Sequence, residues 1–122
     1  MKIFYLFLLL LIAQSASAQL SSDEKKIIDY LKAHHGEAEE LLIESVNINS
    51  GTLNVAGVKK VGAVYRRELD KLGFTTGWVD LPDSLRRAGH LVASRKGSQG
   101  KRLFLIGHLD TVFELDMEFS PY

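Results

Sequence analysis

The chain has 122 residues, 46% of them hydrophobic, no cysteine, and 15 basic against 15 acidic side chains, giving a formal net charge of +0 at pH 7. Such a length suits one domain or part of a larger one, and the neutral balance gives no electrostatic reason to expect nucleic acid or an anionic membrane surface as partner. The lack of cysteine excludes a disulfide framework, a thiolate metal site and a thiol nucleophile, so any metal must be held by histidine and carboxylates.

The opening stretch, "MKIFYLFLLLLIAQSASAQL", places Lys2 before an apolar run from Ile3 to Ala13 and then small and polar residues ending Ala16-Ser17-Ala18. This is the three-part layout of a secretory signal, with cleavage predicted between Ala18 and Gln19. The apolar run falls well short of the roughly 20 residues that cross a bilayer. No cysteine lies near the cut, which excludes a lipid anchor there. Residues 1–18 are therefore read as a signal peptide and residues 19–122 as the exported portion. That portion is expected in the periplasm or outside the cell, with no membrane attachment after cleavage.

Next comes "SSDEKKIIDYLKAHHGEAEELLIESVNI". Ser21 and Glu24 form a capping-box pattern, and apolar positions recur at helical spacing through Ile27, Ile28, Leu31, Leu41, Leu42 and Val46. Gly36 is placed to split this segment into two helices. "NINSGTLN" reads as a loop. Asn54 is positioned to cap a second helical segment carrying Val58, Val61, Tyr65, Leu69 and Leu72 on one stripe, and Gly73 is positioned to end it. "FTTGWVDL" predicts a strand and "PDSLRRAG" a turn. "HLVASRK" and "RLFLIG" predict two more strands, joined as an antiparallel hairpin by a four-residue link too short for a parallel crossover. The last strand has no polar alternation, which predicts burial on both faces.

That strand runs into His108 and Asp110. Residues two apart on an extended backbone point to the same side, so the pair can project together from a strand end. A carboxylate beside an imidazole fixes its tautomer and leaves the other ring nitrogen free for a metal. The same pair would suit the histidine–aspartate half of a nucleophilic triad, although no G-x-S-x-G elbow accompanies it. The adjacent His34 and His35 do not have the three- or four-residue spacing of helical ligand pairs and are read as a solvated face; His90 is read as a strand residue.

The run "LFLIGHLDTVFE" resembles the first metal-binding strand of the zinc metallopeptidases of the glutamate carboxypeptidase, acetylornithine deacetylase and succinyl-diaminopimelate desuccinylase type. The likeness extends to "SVNINSGTLNVAGVKKVGAVYRRELDKLGF", with its S-G-T loop, amphipathic helix and L-G-F exit, and to "AGHLVASRKGSQGKRLFLIGHLDTVFE". It covers roughly residues 25 to 115, with the bacterial glutamate carboxypeptidase branch nearest. The resemblance implies an α/β fold, the N-terminal part of a helix-flanked, mixed-sheet zinc-peptidase catalytic domain, incomplete as it stands. It implies that His108 ligates one zinc of a two-zinc centre and that Asp110 is the active-site carboxylate orienting it. A metal-activated water would cleave the amide bond of a peptide or N-acyl amino acid substrate.

In that family the bridging aspartate, the glutamates and the distal histidine come from later segments, and Asp116 and Glu118 do not stand in the matching glycine-rich context. The expectation is an exported metal-dependent peptidase or amidohydrolase that is truncated here, inactive alone, and in need of a missing C-terminal polypeptide. The alternative is a non-catalytic remnant or interaction module that keeps the early fold.

Overall fold

A computed structural model describes residues 19–117. The expected signal peptide, residues 1–18, and Glu118 lie outside the described residues. The chain divides into two compact units, one up to Gly36 and one from Glu37. Together the described elements form a partial α/β arrangement: three helices, then two strands.

In the first unit, α1 (Ser22–Ala33) starts where its sequence signature places it. The Ser21 hydroxyl accepts the Glu24 backbone N–H at 3.2 Å, and the Glu24 carboxylate accepts the Ser21 N–H at 2.7 Å. Two orphan donors of the first turn thereby find local acceptors. The break expected at Gly36 falls instead at His34. Its ring stacks on Tyr30 at 3.9 Å between centroids, and both its backbone N–H and its Nδ1 reach the Tyr30 carbonyl. A residue able to satisfy that terminal carbonyl twice ends the helix before the glycine is reached.

The unit from Glu37 contains most of α2 (His35–Val46), then α3 (Val55–Lys71), β1 (Thr75–Val79) and β2 (His90–Ser94). Asn54 caps α3 by accepting the Gly57 N–H at 3.1 Å, and its amide donates to the Asn49 carbonyl at 2.8 Å. Gly73 turns the chain out of α3 at a φ of 77°, a conformation that costs glycine little because it has no Cβ. β1 and β2 pair antiparallel with Thr76 opposite Ala93 and Trp78 opposite Leu91. Those four are the half-buried residues of the two strands, so a single face of the sheet meets α3.

The core is small and centred on α3: Val58, Val61 and Val64, with Ala88 from the link before β2. The Trp78 ring covers Gly62, where a Cβ would collide with it, and the indole N–H donates to the Ala88 carbonyl at 2.7 Å. Glu44 on α2 grips the Arg67 guanidinium on α3 through two bonds of 2.9 and 2.6 Å. The planar fork matches the carboxylate, fixing which turns of the two helices face each other. No helix among the described residues is long and apolar enough to cross a membrane.

The sequence expectation fails at the third strand. Residues 102–107 belong to no strand, and Leu103, Phe104, Leu105 and Ile106 are 85–88% exposed. The hairpin that forms is β1–β2, and the predicted mixed sheet is a two-stranded antiparallel one. The apolar composition of this segment suggested burial on both faces. A strand apolar on both faces needs cover on both, whereas β1 and β2 are covered by α3 on one side only. Among the described residues no element covers the second face of such a strand.

The cap on α3 gives a direct stability test. Asn54→Ala is expected to cost about 1–2 kcal/mol, read as a lower urea midpoint with an unchanged denaturant slope.

Candidate functional site

The loop of residues 49–53, between α2 and α3, and the segment of residues 108–114 are joined by backbone and side-chain bonds that build the site. Gly51 and Thr111 form a parallel bridge: the Thr111 N–H donates to the Ser50 carbonyl at 2.8 Å and the Thr52 N–H to the Thr111 carbonyl at 3.1 Å. The Leu53 N–H reaches both oxygens of Glu114 at 3.1 Å, and the Asn49 amide donates to the Phe113 carbonyl at 3.2 Å. The approach is close enough to require glycine at position 51. A Cβ there would stand 2.5 Å from the Phe113 oxygen and 2.7 Å from the Glu114 Cα. Gly51→Ala is therefore expected to push the 110–114 segment off the loop at a cost of about 1–3 kcal/mol. Faster hydrogen exchange at the Thr52 and Thr111 amides would report the separation.

The seam brings the sequence-predicted pair together. His108 Nδ1 lies 3.0 Å from Asp110 Oδ1, and the intervening Leu109 packs towards Gly62 on α3, so alternate side chains take opposite sides. Asp110 Oδ2 accepts the Thr52 hydroxyl at 2.8 Å. The Thr52 hydroxyl, with the His108 imidazole next in importance, holds the Asp110 carboxyl below its usual range. An ionised carboxylate only accepts, so Nδ1 must carry the proton of the 3.0 Å bond, and the Nε2 lone pair is left free. The His108 side chain is 89% exposed and that of Asp110 is 32% exposed. Nε2 is therefore open to a metal ion or to a proton.

A cavity of about 380 Å³ lies alongside, lined by His108, Asp110, Leu42, Val46, Tyr65 and Phe113 among others. Of the remaining histidines, His34 stacks on Tyr30 and His90 opens β2 opposite Val79. Among the described residues no three His, Cys, Asp or Glu side chains are grouped to hold a metal ion. The donor set is one imidazole with its orienting carboxylate, fewer than the about three protein ligands of a catalytic zinc. These residues by themselves do not constitute a zinc site.

Thr52, Glu114 and Asn49 were not marked by the sequence as site residues. Thr52 stands 58 positions from Asp110, in the S-G-T loop that carried part of the family resemblance but no site role.

No protein-family model matches the chain, and no solved structure matches it. Carboxypeptidase G2 from Pseudomonas sp. (strain RS-16) is 37% identical over 68 residues, which is 56% of this chain and 16% of that protein. The match thus spans well under two thirds of the relative. It supports a carboxypeptidase-like relationship.

Proposed function

We propose that the chain contributes one ligand, with the carboxylate and hydroxyl that aim it, to a carboxypeptidase-type metal-dependent amidohydrolase. The observation that carries this reading is the 3.0 Å bond from His108 Nδ1 to Asp110, which turns the free Nε2 outward. The H-L-D-T-V sequence and the similarity to a carboxypeptidase supply the reaction class. Zinc is the proposed metal, and a two-zinc centre would polarise the scissile carbonyl and activate water once its other ligands come from further polypeptide. The substrate proposed is a peptide or N-acyl amino acid. The leader-like residues 1–18 support an exported enzyme, periplasmic or secreted.

In this scheme Asp110 stays ionised and keeps the Nδ1 proton on His108, so that Nε2 is the nitrogen offered to a metal. The 122-residue chain alone is expected to bind zinc weakly and not to hydrolyse amides, since its described donors are short of a full ligand set.

A chimera tests the proposal. A stretch of this chain that runs from Asn49 to Glu114 replaces the corresponding stretch of carboxypeptidase G2, and release of a C-terminal amino acid is measured. Retained zinc-dependent activity is expected. A folded chimera that releases none would contradict the reading.

A further inference from the structure

We infer that Thr52 is a positioning residue for His108, acting through Asp110; this rests on His108 being the ligand proposed above. His108 is 89% exposed on its side chain, and its hydrogen bond is to Asp110. No packed wall fixes the ring, so its orientation is inherited from the carboxylate. A terminal carboxylate torsion is broad and is poorly fixed by one bond alone. Asp110 is held on opposite oxygens: Oδ1 takes the His108 Nδ1 proton, and Oδ2 accepts from the Thr52 hydroxyl at 2.8 Å, the shorter of that hydroxyl's two contacts, the other being the Thr111 carbonyl at 3.1 Å. The second bond sets the plane in which the first is made.

Thr52 is itself rigidly placed. Its backbone N–H is bonded to the Thr111 carbonyl, one residue beyond Asp110, and the Gly51–Thr111 bridge secures the residue before it. A β-branched side chain has few χ1 choices, so a fixed backbone aims the hydroxyl. The relay runs from the loop to the hydroxyl, the carboxylate and the ring, and its output is an imidazole held as the Nδ1–H tautomer with Nε2 directed outward.

The relay predicts a different result for each half of the threonine side chain. Thr52→Val keeps the branched shape and removes the hydroxyl, whereas Thr52→Ser keeps the hydroxyl and removes the methyl group. In the full chain without metal, the ¹⁵N shifts of the His108 ring report its tautomer. T52V is expected to convert the Nδ1–H form into a mixture, with T52S remaining native. With zinc added, the affinity at His108 is expected to fall about 10- to 100-fold in T52V and to recover in T52S. A native tautomer in T52V, or equal damage in T52V and T52S, overturns the inference. Should T52V not fold, T52S decides: a native tautomer supports the hydroxyl role and a mixed one overturns it. The metal-free readout separates this inference from the functional one, because a relay without zinc binding at His108 would leave Thr52 as its positioning residue and sink the metallohydrolase proposal.

Discussion

Replacing Phe104 and Ile106 together by lysine is expected to turn a self-associating chain into a monomer without weakening its fold. Four consecutive apolar side chains, Leu103 to Ile106, stand 85–88% exposed. Burying each would stabilise an associated state by about 1.5–3 kcal/mol. That gain is large beside the roughly 5–15 kcal/mol that holds a whole domain together. An extended segment with free backbone donors and acceptors is also a template for strand pairing between chains. Zero net charge does nothing to keep copies apart. Since these side chains take no part in the valine core, the double substitution should change stability by less than about 0.5 kcal/mol. Sedimentation velocity with binding of a hydrophobic dye reads the first half of the claim, and a urea melt reads the second. A wild-type chain that is monomeric and dye-silent at micromolar concentration would show that the stretch is covered by other means.

The second large effect concerns His108 in the active chimera. His108→Ala is expected to reduce amide hydrolysis by more than about 100-fold, since loss of a residue that merely supports a ligand already costs about 10- to 100-fold. Asp110→Asn should fall in that lower range, because the ring keeps its nitrogen but loses the ionised acceptor that fixes Nδ1–H. The ordering matters more than either value. If D110N were as inert as H108A, Asp110 would be acting on the metal or the substrate itself.

Features whose cause is local were legible in the sequence. Ser21 with Glu24 marked the start of α1, Asn54 the start of α3 and Gly73 its end, because each cap is made by residues within one turn. His108 and Asp110 were legible for the same reason: they stand two residues apart, and their side chains meet at 3.0 Å although the strand expected to carry them is absent. The break at His34 was misplaced to Gly36, since intrinsic propensity does not include an imidazole bonded to the Tyr30 carbonyl. "RLFLIG" was read correctly as apolar but wrongly as buried. Burial belongs to the surfaces around a strand, and a two-stranded sheet covered on one side cannot supply them. The role of Thr52 was not legible, although its S-G-T loop was noted, because its chemistry depends on a partner 58 residues away.

The central claim, that a fixed Nε2 of His108 is an outward-facing metal ligand, is tested most directly by titrating the chain with zinc and following the histidine ring nitrogens by NMR. The chain has 4 histidines, few enough for each ring to be assigned by substitution. The expected result is a weak, saturable shift at His108 Nε2, with Nδ1 still protonated and bonded to Asp110, and loss of that response in H108A. Zinc that prefers His34, His35 or His90, or that displaces the Nδ1 proton and breaks the bond to Asp110, would contradict the account.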